Sequence, residues 1–308
     1  MNIIEIGSRS LESTACAIGF IHNETSFDIW AALYDGPVFI LSSSLEMKTT
    51  FDTGLRPLND VICIKRDKLL IGVGGQGICV YDFDLNSVFD PYPIFSTNLY
   101  KVASLNSETI VSGGSDETLF AIDLFAGATQ GLVALGEELH SISLHPINQH
   151  ILYASGSGGG CYTAFLDYST YYKRTIISKL RMRKVRTAFN SNGSKILQLD
   201  KYVRCFSFPE LGNLWCFSGE NGFVENTEET DWEASCAWSN PVFSPHSPNA
   251  FCGSETGKIY CWDINEGKVL GEIQAHTHQV ENLAISPDGQ HLASIGPDGT
   301  LKLWRLDA

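Results

Sequence analysis

Residues 275–306 read AHTHQVENLAISPDGQHLASIGPDGTLKLWRL. One alternating run of apolar and polar residues reaches Ser286 and is followed by Pro-Asp-Gly. A second run reaches Ser294, a second Pro-Asp-Gly follows, and a third run ends on Trp304. Period-two alternation marks half-buried strands, and Pro-Asp-Gly supplies the backbone angles of a tight reversal. Three antiparallel strands are predicted here. The unit recurs upstream. Taking the residue that ends each third strand as anchor, the series is Leu41, Tyr81, Ile122, Phe165, Phe206, Trp262 and Trp304, at separations of 40, 41, 43, 41, 56 and 42 residues. Six positions before each anchor stands a turn residue: Asp35, Gly75, Asp116, Gly159, Asp200, Thr256 and Asp298. A period near 41 residues in a chain almost free of helical periodicity points to a β repeat architecture.

The last unit resembles a WD repeat, and the preceding ETGKIYCWDI supplies the Trp-Asp dipeptide at Trp262 and Asp263. The resemblance covers nearly the whole chain but is strong only over residues 234–308. It implies an all-β fold, a seven-bladed β-propeller of four-stranded blades. The blades would cover approximately residues 13–52, 57–96, 98–135, 138–179, 181–217, 234–274 and 276–308 of a single domain. Residues 1–7 (MNIIEIG) alternate like a strand and fit no repeat, and the last unit lacks a fourth strand. As is common in this family, the N-terminal strand is expected to be the outer strand of the last blade, closing the ring. The resemblance also implies a structural relay of His276, Ser294, Asp298 and Trp304. An imidazole, hydroxyl, carboxylate and indole N–H can satisfy one another where each alone would be costly to bury. In the third unit Ser112 and Asp116 remain, but Ile122 replaces the tryptophan.

Composition sets the outer bounds. The 308 residues are 44% hydrophobic and 11% aromatic, as in a globular protein. The start, MNIIEIGSRSLES, has no basic stretch leading into a long apolar run, so no secretory signal is expected. No run approaches the roughly 18–20 apolar residues a membrane helix needs, so no membrane insertion is expected. Nine cysteines lie scattered without a Cys-x-x-Cys pair, mostly in strand-like runs, where free cysteine behaves as a small hydrophobe. That usage fits a reducing compartment and gives the sequons at Asn23 and Asn192 no weight. An intracellular protein, in nucleus or cytoplasm or both, is expected.

Two glycine-rich stretches invite a cofactor reading. Gly72, Gly74 and Gly77 spell G-x-G-x-x-G, but a dinucleotide turn needs a helix to receive the pyrophosphate, and Ile78-Cys79-Val80-Tyr81 reads as a strand. SGSGGGC (155–161) lacks the Gly-Lys-Ser/Thr of a phosphate loop. No cofactor is expected. His140, His145 and His150 are spaced by five, which makes no cluster on a helix or on one strand face, and His276 is already claimed by the relay. No metal site and no catalytic residue are assigned, and the channel-lining first strands (CAIGFI, VICIKR, KVASL, SISLH, VRTAF, VFSP, LAISP) are expected to be mostly apolar or small.

Charge is the better lead. The net charge of −14 argues against wholesale nucleic-acid binding, yet ten of the 21 Lys and Arg fall within 173–204 beside one acidic residue, Asp200. KLRMRKVR (179–186) is expected to connect blades four and five. The next connection carries an insertion, SGENGFVENTEETDWE (218–233), with six acidic residues and no basic one. The two loops would sit on one face of neighbouring blades. The plain alternative is a pair of solvated charge runs. The functional reading is a partner footprint of Lys179, Arg181, Arg183, Lys184, Arg186, Phe223, Glu228, Glu229 and Trp232, with the two aromatics as anchors.

The whole reads as a non-catalytic scaffold for protein–protein interaction, a subunit of a multisubunit complex. Two alternatives stay open: a subunit of an RNA-processing or chromatin assembly touching nucleic acid through 173–204, or a substrate-recruiting subunit of a ubiquitin ligase. An enzyme built on a propeller is the contrasting class.

Overall fold

The computed structural model describes residues 1–307 apart from 23–25, 65–68, 76, 94–97, 116, 149, 158–159, 168–172, 181–184, 200–202 and 218–238. Its strands pair into seven four-stranded antiparallel sheets, numbered here in chain order, each running from an inner first strand to an outer fourth. Sheet 1 holds Ala15–His22, Phe27–Leu33, Pro37–Ser42 and Met47–Asp52; sheet 2 holds Leu58–Ile64, Leu69–Gly74, Gly77–Asp82 and Ser87–Pro93. Sheet 3 holds Leu99–Ser104, Thr109–Gly114, Thr118–Asp123 and Thr129–Ala134; sheet 4 holds Glu138–Leu144, His150–Ser157, Gly160–Asp167 and Lys173–Leu180. Sheet 5 holds Arg186–Phe189, Lys195–Leu199, Val203–Ser207 and Asn213–Phe217; sheet 6 holds Val242–Phe243, Asn249–Gly253, Lys258–Asp263 and Lys268–Gln274. Sheet 7 holds Asn282–Ile285, His291–Ile295 and Thr300–Asp307, and its outer strand is Asn2–Ser10.

The arrangement is an all-β propeller, and burial shows why it holds together. Each sheet has two faces, and alternate residues of its strands pack against different neighbours. In sheet 1, Ile29, Ala31 and Leu33 join Ile295, Leu301 and Leu303 of sheet 7. Their chain neighbours Trp30 and Ala32 join Leu58, Val61 and Leu70 of sheet 2. The same sharing links sheets 2 and 3, 3 and 4, 4 and 5, 5 and 6, and 6 and 7. A buried Leu, Ile or Phe contributes about 1.5–3 kcal/mol of transfer free energy, and every such cluster needs both of its sheets. No sheet has a complete core alone.

The N-terminal strand pairs antiparallel with Thr300–Asp307, from Asn2 opposite Asp307 to Ser10 opposite Thr300. It runs three residues past the expected boundary at residue 7, because a register shift between Glu5 and Gly7 lets pairing resume beyond it. Arg9 then donates to the Leu45 carbonyl of sheet 1 at 2.7 Å, tying the strand to the neighbouring sheet.

The G-x-G-x-x-G stretch folds as a hairpin. Gly72 and Gly74 lie in the second strand of sheet 2, Gly75 turns at φ +44°, and Gly77 opens the third strand. A Cβ on Gly74 would lie 2.0 Å from the Pro57 carbonyl oxygen, so glycine permits the connecting segment to cross close by. Tyr81, the anchor of this sheet, stacks on Phe51 at 3.8 Å and donates to Asn86 Oδ1 at 2.7 Å. Packing of rings does here what a tryptophan-centred relay does elsewhere.

Seven cysteines among the described residues carry free thiols, and burial pushes Cys16, Cys79, Cys205 and Cys261 up to about 12. They are held as thiols and pack as small apolar groups.

Candidate functional site: relay and channel mouth

The structure brings the four relay residues together. Trp304 Nε1 donates to Ser294 Oγ at 3.0 Å, Ser294 Oγ lies 2.8 Å from His276 Nε2, and His276 Nδ1 lies 3.0 Å from Asp298 Oδ2. One proton arrangement satisfies all of them: indole N–H to hydroxyl oxygen, hydroxyl to Nε2, Nδ1–H to carboxylate. It requires a neutral imidazole. Burial accordingly pushes His276 below its usual range, against the pull of Asp298. Asp298 also accepts from Thr300 Oγ1 at 2.7 Å and from the amides of Thr300 and Thr277 at 3.1 and 3.3 Å. These donors hold its carboxyl below the usual range although burial opposes them. His276 lies in the connection between sheets 6 and 7, Asp298 in a hairpin turn, and Ser294 and Trp304 on adjacent strands. The relay therefore clamps a loop to a turn.

Sheet 6 keeps part of this device. Trp262 Nε1 donates to Cys252 Sγ at 3.0 Å, the same ten-residue offset as Trp304 to Ser294. In sheet 3, Ser112 Oγ instead donates to the Lys101 carbonyl at 2.8 Å. Asp116 lies outside the described residues.

The mouth of the channel, just ahead of the first-strand runs expected to be apolar or small, is polar. A cavity of about 530 Å³ opens where the inner strands begin, and every sheet contributes a side chain to it: Cys16, Asn59, Tyr100, His140, Arg186, Asn240 and Glu281. Physically, the inner strands of sheets 1–4 carry a register shift at Cys16, Asn59, Tyr100 and His140. A bulge residue leaves the alternation of the pleat, so its side chain can be re-aimed into the channel. The preceding residue stays in the core: Ala15, Leu58, Leu99 and Leu139 are at most 1% exposed. Val185 and Val280 play that part before Arg186 and Glu281, at 0%. A buried aliphatic residue followed by a thiol or polar one opens six of the seven inner strands, Ser239–Asn240 of sheet 6 being the exception. That pairing is the sequence signal that reading by alternation passes over.

Several polar groups at the mouth bridge sheets. Asn59 Nδ2 donates to the Leu99 carbonyl at 2.6 Å, Asn282 Nδ2 to the Cys16 carbonyl at 3.3 Å, and Arg186 Nη1 to the His140 carbonyl. Ser141 Oγ accepts from the Thr187 amide at 3.1 Å and lies 3.2 Å from Asn240 Oδ1. Asp60 is buried, accepts from the Val102 amide at 3.2 Å and faces Lys101 Nζ at 3.7 Å. Burial raises the Asp60 carboxyl above its usual range, and the Lys101 charge opposes the rise.

The predicted charged footprint divides. Arg181, Arg183, Lys184, Phe223, Glu228, Glu229 and Trp232 lie outside the described residues. Lys179 belongs to the outer strand of sheet 4, opposite Tyr162. Arg186 is not part of a loop, as expected from KLRMRKVR; it opens the inner strand of sheet 5 and lines the channel mouth, because pairing with Leu199 begins there.

The histidines are arranged across strands rather than along one strand face. The turn between the first two strands of sheet 4 brings His145 and His150 together, with ring centroids 5.9 Å apart, since hairpin pairing sets residues five apart side by side. His145 Nδ1 accepts from the amides of Ile147 and Asn148 at 3.1 and 2.9 Å, and Nε2 lies 3.1 Å from the Gly193 carbonyl. His140 sits apart, at the channel mouth. Among the described residues no group of three His, Cys, Asp or Glu is arranged to hold a metal ion, and no helix is long and apolar enough to cross a membrane.

Comparison with known proteins agrees with this picture. The family model described as "WD domain, G-beta repeat" matches residues 267–305. The nuclear distribution protein PAC1 of Arthroderma otae is 37% identical over 186 residues, 59% of this chain and 38% of that protein. The small ribosomal subunit protein RACK1y of Oryza sativa subsp. japonica is 33% identical over 92 residues, 30% of this chain and 26% of the other. The DDB1- and CUL4-associated factor 13 of Dictyostelium discoideum is 39% identical over 59 residues, 19% of this chain and 13% of that one. The chain thus spans well under half the length of each of these relatives. With its tryptophan-anchored hairpins and its clamped last sheet, the chain carries a WD repeat over residues 267–305 and is similar to WD-repeat proteins over up to 59% of its length.

Proposed function

We propose that this protein is a non-catalytic scaffold, a seven-bladed ring closed by its N-terminal strand, which mediates protein–protein contacts as a subunit of a larger intracellular complex in nucleus or cytoplasm. The supporting observation is the channel mouth. Its asparagines, Arg186 and Ser141 bond to neighbouring sheets, so they rigidify a face that all seven sheets share. A stiff polar surface suits recognition, because little freedom is lost when a partner docks. Two of the relatives have names that describe parts of assemblies, a small ribosomal subunit protein and a DDB1- and CUL4-associated factor, which favours a complex subunit. The charged footprint of 179–186 and 218–233 would extend the same face outward.

The test is affinity purification from the native source in wild-type form and as Tyr100→Glu, which places a charge at the mouth. The expected result is a stoichiometric set of co-purifying proteins, depleted by the substitution. A wild-type protein that elutes alone at monomer size would overturn the proposal.

A further inference from the structure

The channel mouth is electrically divided. Lys101 of sheet 3 and Arg186 of sheet 5 bring an ammonium and a guanidinium to the cavity, flanking His140 of sheet 4 in ring order. Glu281 of sheet 7 brings a carboxylate, bonded to Gln279 Nε2 at 3.0 Å.

Lys101 is the informative residue. Its side chain is only 13% exposed, yet its nearest carboxylate oxygen, on Asp60, is 3.7 Å away. That distance makes an ion pair but exceeds a hydrogen bond. Among the described residues no atom accepts a hydrogen bond from this ammonium, which sits in the cavity wall. With its stem buried, the ammonium presents its donors to the cavity, where an incoming anionic acceptor can make charge-assisted hydrogen bonds to it. The guanidinium of Arg186 is steadied by the His140 carbonyl and supplies a second positive group in a fixed place.

The same cavity discriminates between anions. Glu281 and the buried Asp60 stand in or beside it, so a row of phosphates would meet repulsion where one carboxylate meets two cations. A space of about 530 Å³ admits a few side chains and no folded domain.

We propose that Lys101 and Arg186 receive the carboxylate of an Asp or Glu side chain from a partner polypeptide, while Glu281 repels further negative charge beside it. This rests on the scaffold reading and names the chemistry of its partner.

The probe is a short fluorescein-labelled glycine–serine peptide with a Glu-Asp-Glu core. The same peptide with a Gln-Asn-Gln core and a single-stranded RNA of equal length serve as comparisons, all read by fluorescence anisotropy. The acidic peptide is expected to bind, the amide peptide to bind at least about tenfold more weakly, and the RNA no better than the amide peptide. Lys101→Met should weaken the acidic peptide by about tenfold or more, and Lys101→Arg should restore most of the loss. Because Lys101→Met strands Asp60 and could unfold the ring, Glu281→Gln is the second variant. It removes repulsion and should tighten the acidic peptide several-fold, a gain that misfolding does not produce. Equal binding of both peptides, RNA as the preferred ligand, or no response to Glu281→Gln would each overturn the assignment. Should those results come with co-purifying proteins that Lys101→Met leaves in place, the scaffold reading stands and only the carboxylate site falls.

Discussion

Sheets 6 and 7 carry the same tryptophan at the same place and secure it differently. In sheet 7 the indole N–H begins a chain through Ser294 and His276 to Asp298. In sheet 6 the indole N–H donates to the thiol of Cys252, and the turn position holds Thr256. Both tryptophans are buried, 1% exposed at Trp262 and 3% at Trp304. The tertiary role of the anchor therefore does not require the relay. What the relay adds is a bond between strands, turn and connecting loop in the sheet that is assembled from both ends of the chain. A continuous sheet is held by its own hairpins. Sheet 7 must also hold a strand that arrives from residues 2–10.

The largest expected effect follows from that asymmetry. Removing residues 1–10 leaves Thr300–Asp307 as an unpaired edge and uncovers the cluster around Trp304 and Leu306, which Met1 and Ile3 help to cover. Differential scanning calorimetry should give a larger fall in Tm than any single substitution discussed here. An unchanged Tm would mean that the ring does not depend on this closure.

Next come the hydroxyl and the thiol. Ser294→Ala strands both the indole N–H and the imidazole Nε2 in a fully buried place, and should cost about 2–4 kcal/mol in urea unfolding. Cys252→Ala strands one donor and should cost about 1–2 kcal/mol. Equal losses in the two sheets would show that the relay adds nothing beyond the first hydrogen bond.

The smallest effect is a pH slope that comes from the relay of sheet 7. Burial lowers the His276 pKa in the folded state, so the unfolded chain binds the proton more readily. Its contribution is complete above the ordinary value near 6.5 and declines as pH falls below it, by at most about 1.4 kcal/mol per pH unit. Asp298 faces the ring directly, with Lys302 and Glu5 as more distant charges. His276→Gln should flatten the dependence of stability on pH below that value. Part of the slope should remain, since burial lowers His145 as well. Cys252→Ala should leave the slope as it is. A wild-type slope retained in His276→Gln would place the titrating group elsewhere.

Much of the fold could be read from residues 275–306 and the recurrence of their anchors, because the information is local. Pro-Asp-Gly at 287–289 and 297–299 dictates reversals, alternation dictates which face is buried, and each operates within a few residues. The relay was legible in sheet 7 only through the resemblance of residues 275–306 to a WD repeat, which implies that role for His276, Ser294, Asp298 and Trp304. The channel mouth was not. Asn59, His140 and Glu281 stand just ahead of the runs VICIKR, SISLH and LAISP, and Lys101 opens KVASL, so none of them stands out in the sequence. A bulge is one extra residue against a partner strand, and it becomes visible only once the partner's register is known.

Strand content, repeat length and the clamp of the last unit thus belong to the chain itself, since short-range backbone preferences and solvent exposure set them. The meeting of residues 2–10 with 300–307, the sharing of every core between two sheets, and the gathering of Lys101, Arg186 and Glu281 around one cavity belong to the closed ring. Those contacts join residues tens to hundreds of positions apart, and only the closure of the circle sets the distance between them.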